Sequence, residues 1–155
     1  MLKLYLIFSI SMGFISFMVG MILNAFLRKT AFYKKNLSNL NFIKNNKVNT
    51  IIGIDVFKWI IKNTFLKFFN QKLKLKNKVE QADLYKLRDE MTISEIDHLI
   101  GFLFVTIFAL VKSYQVNFLF GLIIMIVNTI MNLYPSLLQQ VNKRRIDQLL
   151  KKYNS

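Results

Sequence analysis

The fold is decided by residues 99–134, which read LIGFLFVTIFALVKSYQVNFLFGLIIMIVNTIMNLY. Residues 99–111 are an apolar run of 13, or about 16 if the three residues before them extend the same helix. After a polar break at residues 112–115, a second run is long enough to cross a hydrocarbon core of about 30 Å. Backbone groups in lipid are hydrogen-bonded within their own segment, so both runs are predicted to be helices. We expect a transmembrane hairpin of residues 96–111 and 116–134, with Pro135 kinking or ending its second arm.

A third apolar run, residues 4–27, lies near the N-terminus and is followed by Arg28 and Lys29. It is longer than the roughly 7–15-residue core of a signal peptide, and basic residues stand where cleavage needs small ones. We interpret it as a membrane anchor rather than a cleaved signal. The sequence therefore predicts an all-α integral membrane protein with about three transmembrane helices, in a single membrane domain of residues 1–155.

Composition agrees with a membrane protein, and the distribution of charge indicates how the chain is oriented in the membrane. The chain is 54% hydrophobic yet carries a formal charge of +14, and its lack of Cys excludes a disulfide scaffold and a thiol nucleophile. Residues 28–95 hold fifteen Lys and Arg and residues 136–155 hold five, whereas the hairpin turn has only Lys112 and the N-terminus only Lys3. By the positive-inside tendency, the middle segment and the C-terminal tail are cytoplasmic and the N-terminus is outside. We expect a multi-pass protein of the cell (inner) membrane.

Residues 50–70 are predicted to form an amphipathic interfacial helix within the basic cytoplasmic segment 28–95. Asp55, Lys58 and Lys62 follow one another at spacings of three and four, and the remaining face is apolar and includes Trp59. A helix of this type lies in the headgroup plane. The alternative is a further span, which the four charged residues within it make costly.

Two further basic segments are expected at the cytoplasmic face. The tail of residues 136–153 is predicted to be a second amphipathic surface helix. A run of alternating lysines precedes residue 80 and comprises Lys72, Lys74, Lys76 and Lys78. Beside an anionic leaflet each basic residue gains about 1 kcal/mol, although a solvated orientation signal is the open alternative. No nucleic-acid motif accompanies the run, so no nucleic-acid partner is expected.

Chemistry is expected where titratable residues meet the apolar run of residues 99–111, at the only histidine, His98. If residues 86–111 are one helix, Glu95 and His98 share a face and Glu90 returns to about the same side, while Asp97 points elsewhere. An imidazole held in one tautomer by a carboxylate is suited to general-base catalysis. The alternative is a pair that only stabilises the helix. One His with scattered carboxylates does not match metal-ligand spacing, so no metal or other cofactor is expected.

Two motifs flank the hairpin and carry a resemblance. The chain has Glu95-Ile-Asp-His98 before it and, after the Asn132-Leu-Tyr-Pro135 exit, Gln139-Gln-Val-Asn-Lys-Arg-Arg-Ile146. The order of these elements resembles that of the glycosyl-diaponeurosporenoate acyltransferases of the staphyloxanthin pathway. In that family an Ala-Glu-x-x-His segment precedes the hairpin and a Gln-Arg-Tyr-Asn-Arg-Pro-Arg-Leu segment follows it.

The resemblance implies transfer of a fatty acyl group to a sugar hydroxyl of a glycosylated carotenoid. Matches to the two motifs, in residue or charge, are Glu90, Glu95, His98, Pro135, Gln139, Asn142, Lys143 and Arg145. Gln140, Val141 and Arg144 replace the family's Arg, Tyr and Pro.

The residue pattern and the family resemblance together support one mechanistic hypothesis. His98, oriented by Glu95, takes the proton of an acceptor hydroxyl, which attacks an acyl thioester whose anionic carrier is held by the basic tail. The predicted catalytic residues are His98, Glu95 and Glu90. The predicted substrate-binding residues are Gln139, Asn142, Lys143, Arg144 and Arg145.

The expected partners are membrane lipids, an acyl thioester donor and a lipid-like glycoside acceptor. A homo-oligomer or a complex with another membrane protein fits three thin helices without being required by any residue. The rival function is a non-catalytic membrane subunit or scaffold whose basic cytoplasmic rim binds anionic lipids or a partner protein.

Overall fold

Helices form nearly all of the described chain, and no strand occurs within it. The computed structural model describes residues 1–40, 42, 46–63 and 80–153. In chain order the α-helices are α1 (Leu2–Leu27), α2 (Asn46–Ile51), α3 (Ile54–Asn63), α4 (Gln81–Gln115), α5 (Phe118–Asn128) and α6 (Tyr134–Tyr153). In the described part of the chain, π-helical turns span Tyr33–Leu37 and Thr129–Leu133. The predicted all-α fold is confirmed.

Among the described residues, three helical stretches are long and apolar enough to cross a membrane: α1, α4, and the continuous stretch Phe118–Tyr153 that contains α5 and α6. Their outward apolar side chains remain uncovered, since Leu4, Phe14 and Leu110 are 68, 62 and 67% exposed. Lipid, rather than water, suits a surface of this kind. The prediction of a membrane protein with about three spanning helices is therefore confirmed.

The buried face of α1 is small and polar rather than apolar. It consists of Ser9, Met12, Gly13, Ser16, Gly20 and Asn24. Lipid tails are as apolar as Leu, so helices in a bilayer associate through close packing and hydrogen bonds. Gly20 provides the closest approach, because a Cβ at this position would lie 2.2 Å from the carbonyl oxygen of Asp97 on α4.

The hairpin turn falls later than the polar residues 112–115 predict. Those residues complete the last turn of α4, and Val116 and Asn117 make the connection to α5. The physical reason is a helix cap, since the side chain of Asn117 accepts a hydrogen bond from the N–H of Phe120 at 2.8 Å. The same Asn117 donates to the hydroxyl of Tyr5 at 2.9 Å, which joins the turn to the beginning of α1.

Pro135 does not end the second arm of the hairpin. The π-helical turn Thr129–Leu133 comes just before it, and the N–H of Tyr134 donates to the carbonyl of Thr129, five residues back. This wider turn changes the hydrogen-bond register immediately ahead of the residue that has no N–H to donate. The helix therefore continues through α6.

Outside the most apolar part of α4, the first half of α4 and the second half of α6 form a packed pair. The 35 residues of α4 rise about 52 Å, well over the thickness of the hydrocarbon core. Leu84 and Met91 of its first half form an apolar cluster with Ile146 and Leu150 of α6. Residues 136–153, for which a surface helix is predicted, are helical as part of α6, and Ile146 and Leu150 pack against α4.

The segment predicted as an interfacial helix contains α3, which packs on the beginning of α6. Ile54 is buried against Leu137 and Leu138. The hydroxyl of Tyr134 donates to the carbonyl of Ile52 at 2.7 Å. The predicted helix does not run unbroken from residue 50, because α2 ends at Ile51 and Gly53 has a φ of 75° before α3 begins. Residues 64–70 and the lysine run after them lie outside the described residues.

Replacing Gly20 with Leu is expected to separate α1 from α4 and to lower the free energy of unfolding by about 1–3 kcal/mol, as overpacking does. Ser11→Leu is the matched control, because Ser11 lies on the exposed side of the same helix. Thermal unfolding in detergent measures both. A Gly20→Leu protein that melts like the Ser11→Leu control would refute this packing.

Candidate functional site

A buried ion pair joins α4 to α6 near the start of the apolar part of α4. Glu95 has no exposed surface, and its Oε1 accepts a hydrogen bond from Nε2 of Gln140 at 2.8 Å. Its Oε2 forms an ion pair with the ammonium of Lys143, which is 3% exposed. Gln140 and Lys143 are three residues apart and therefore share one face of α6. A buried carboxylate is tolerated only with such compensation, so this contact fixes the two helices against each other.

Residues 40 and 42 close over this pair from outside the helices. The carbonyl of Leu40 accepts from Nζ of Lys143 at 3.3 Å, and Oε1 of Gln140 accepts from the N–H of Phe42 at 3.0 Å. The amide of Gln140 therefore donates to Glu95 and accepts from Phe42. Its orientation is set by both partners.

A polar cleft of about 220 Å³ opens beside the pair. Arg88 spans one wall, where its Nε donates to Oδ1 of Asp147 at 2.5 Å and its Nη2 to Oδ1 of Asn39 at 2.9 Å. The lining residues are Asn39, Leu40, Arg88, Gln140, Lys143, Arg144 and Asp147. No group of three or more His, Asp or Glu side chains suited to a metal ion occurs among the described residues.

His98 lies one turn after Glu95 but is not held by it. Both oxygens of Glu95 are engaged by α6, and the imidazole instead lies beside Phe17, with ring centroids 5.8 Å apart, and has Asn132 as its polar neighbour. Nδ1 of His98 is buried without a hydrogen-bond partner among the described residues. The prediction that Glu95 orients His98 is therefore wrong, because α6 supplies stronger partners for the carboxylate than its own helix does.

Asn132 connects the histidine to a chain of polar contacts inside the spans. Its Nδ2 donates to Oγ of Ser16 and to Oδ1 of Asn128, each at 2.9 Å. Asn128 in turn donates to the carbonyl of Phe102 at 3.0 Å. These bonds tie α1 and α4 to the second hairpin arm and hold Asn132 in place beside His98.

Asp97 points towards α1, away from the Glu95 contact. It is 8% exposed, and its Oδ1 accepts from Nδ2 of Asn24 at 2.7 Å. Asn24 also donates to the carbonyl of Ile93 at 3.0 Å. Glu95 and Asp97 therefore anchor opposite sides of α4, to α6 and α1 respectively.

A buried phenol lies in the connection after α1. Tyr33 is 6% exposed, and its hydroxyl has no hydrogen-bond partner among the described residues. Burial raises the pKa of this hydroxyl, and the negative charge of Asp89 raises it further. Tyr33 is therefore protonated at neutral pH and can donate a hydrogen bond.

The structure brings together only part of the predicted substrate-binding set. Lys143 and Arg144 line the cleft, whereas Arg145 is exposed, and Gln139 and Asn142, both half-buried, are not among its lining residues. Glu90 is half-buried and takes part in neither the Glu95 contact nor the cleft lining.

Sequence reasoning missed Arg88, Asn39 and Gln140. The spacing of Gln140 and Lys143 on one helical face was the only available signal, and it does not reveal that α4 supplies the facing carboxylate.

Comparison with known proteins bears on what this site does. A family model described as glycosyl-4,4'-diaponeurosporenoate acyltransferase matches residues 29–152, a stretch that contains Glu95, His98 and the cleft. Searches of curated proteins and of solved structures find no match. The family match confirms the resemblance and covers most of the chain. The protein therefore belongs to the glycosyl-4,4'-diaponeurosporenoate acyltransferase family.

Proposed function

We propose that this protein transfers a fatty acyl group from an acyl thioester to a hydroxyl of a lipid-like glycoside, such as a glycosylated carotenoid. The family match supports an acyltransferase of a carotenoid pathway. The observation that carries the proposal is the imidazole of His98, whose buried Nδ1 has no hydrogen-bond partner among the described residues. A general base needs a nitrogen that is not already engaged by another hydrogen bond, so that it can accept the proton of the substrate.

The reaction needs one proton transfer in each direction. Neutral His98 takes the proton of the acceptor hydroxyl, and the oxygen attacks the thioester carbonyl to form a tetrahedral intermediate. The carbon–sulfur bond then breaks, and the imidazolium returns the proton to the departing thiolate. The products are an ester and a free thiol. Asn132, held by Ser16 and Asn128, takes over the orienting role for the ring that Glu95 does not perform.

Glu95 is a positioning residue in this mechanism. Its contacts with Gln140 and Lys143 hold α6 against α4, one helical turn from His98. The basic residues of α6 are thereby kept near the base, where an anionic carrier would bind. Glu90 has no role in the proposed proton transfers.

The proposed arrangement places the reaction at the cytoplasmic surface of the cell membrane. The positive charges of residues 28–95 and 136–155 support a cytoplasmic location for both segments and an outside N-terminus. Trp59 and Val56 of α3 are 65 and 62% exposed, as a helix lying against headgroups requires. The acceptor's lipid tail would then lie along the spans.

Replacing His98 with Gln or Ala is expected to abolish acyl transfer, because proton transfer by a positioned base contributes roughly 10²–10⁴-fold. Mass spectrometry of lipid extracts, from cells that also make the glycoside, detects the product as a gain of one fatty acyl unit. Gln115→Ala, at the exposed end of the same helix, is the control and should retain activity. Turnover by a membrane-inserted His98→Ala protein would remove the histidine from the mechanism and favour the scaffold alternative.

The topology is testable because the native chain has no cysteine. Single cysteines placed at Leu2, Tyr114 and Lys151 should differ in reaction with a membrane-impermeant maleimide added to intact cells. The first two are expected to react, and the third only after the membrane is opened. Labelling of Lys151→Cys in intact cells would contradict a cytoplasmic site.

A further inference from the structure

We propose that the cleft between residues 39–40, α4 and α6 binds a phosphate group of the acyl donor's carrier, with Arg88, Lys143 and Arg144 as its cationic groups. This inference rests on the proposed function, since it names the part of the donor that this surface recognises. The proposed binding surface differs from the basic tail predicted from sequence. It includes Arg88 of α4 and does not include Arg145.

The charge of the cleft favours an anion. Three cations line it against a single carboxylate, that of Asp147, and the positive groups outnumber the negative ones even when buried Glu95 is counted. Arg88 is already aligned by its bonds to Asp147 and Asn39. A guanidinium held in this way loses little entropy on binding and matches the geometry of phosphate oxygens.

Lys143 is a further hydrogen-bond donor at the cleft. An ammonium group has three N–H donors, and among the described residues Lys143 uses them on Glu95 and on the carbonyl of Leu40. Lys143 lines the cleft, and in this proposal a phosphate oxygen accepts its third N–H there. The volume of about 220 Å³ equals that of roughly seven water molecules at about 30 Å³ each, which is enough for a phosphate group.

The location favours a soluble carrier over a lipid headgroup. Arg88 precedes Glu95 by seven residues and therefore lies about 10 Å further along α4 from the apolar part of the helix. The same stretch of α4, outside its apolar part, forms the packed pair with α6. A carrier arriving from the cytoplasm reaches this position directly, and its thioester would point along α4 towards His98.

The test measures binding of coenzyme A to the full-length protein in phosphatidylcholine nanodiscs by calorimetry, with pantetheine as the probe that lacks phosphate. Arg144→Gln is expected to weaken coenzyme A binding about tenfold. Arg144→Lys should weaken it by less, because Lys keeps the positive charge but not the paired N–H donors of the guanidinium. Pantetheine should bind weakly to every variant. Lys151→Gln, which removes one exposed charge from the same helix, is the control and should bind coenzyme A like the wild type.

A second replacement keeps the test decisive if Arg144→Gln does not fold. Arg88→Gln combined with Asp147→Asn leaves the net charge unchanged and removes the aligned guanidinium, so it should also weaken coenzyme A binding. The proposal is overturned if Lys151→Gln weakens binding as much as these variants do, or if pantetheine binds as tightly as coenzyme A.

Two further arms separate the alternatives. Phosphatidylglycerol in the nanodiscs tests whether the phosphate comes from a lipid. If this lipid lowers the coenzyme A affinity of the wild type but not that of Arg144→Gln, the cleft binds a headgroup and the carrier assignment is overturned. The His98→Ala protein should bind coenzyme A like the wild type. If it binds coenzyme A and still transfers acyl groups, the catalytic proposal fails while the phosphate site stands.

Discussion

The ion pair between Glu95 and Lys143 is the contact on which the rest of the site depends. A carboxylate with no exposed surface has to be compensated, and both of its oxygens are satisfied from α6. That requirement fixes the rotation and height of α6 relative to α4, because Gln140 and Lys143 reach Glu95 only in one register. The cleft, its arginines and the distance from the basic tail to His98 all follow from this register.

Within the spans, polar contacts act beside a buried apolar cluster of Val105, Ala109, Phe120 and Ile124. Asn24, Asn128 and Asn132 are almost completely buried and connect the three stretches through hydrogen bonds, while large apolar side chains face outward. Such interhelical bonds are worth about 0.6–2 kcal/mol each in a bilayer, where apolar burial gives helices little reason to associate. The glycines add close backbone contact, as at Gly20 and Gly101. His98 is positioned by this same interior.

The spans were predictable from sequence because apolar length has a direct physical meaning in a membrane. Residues 4–27 exceed the hydrocarbon thickness and residues 116–134 are long enough to cross it, and helices satisfy the backbones of both within the segment. Local features were less predictable. The polar residues 112–115 looked like a turn, but the cap provided by Asn117 moves it by a few residues. Pro135 was expected to kink or end the helix, but the π-helical turn before it changes the hydrogen-bond register and the helix continues.

The contacts of the candidate site could not be predicted from helical spacing alone. Helical spacing places Glu95 one turn from His98, but it does not indicate that side chains of α6 bind the carboxylate. That information depends on how two helices far apart in sequence pack, as Gln140 and Lys143 do against α4. Arg88 and Asn39 were missed for the same reason, since their contacts join segments separated by about fifty residues.

A double-mutant cycle on the Glu95–Lys143 pair tests this account most directly. The free energy of unfolding would be measured in mixed detergent micelles for Glu95→Gln, Lys143→Gln and the double variant. Each single change leaves a buried group uncompensated and should cost about 3–5 kcal/mol, whereas the double variant should lose much less than the sum. Additive losses in the double variant would show that the two side chains do not depend on each other, and would contradict the account.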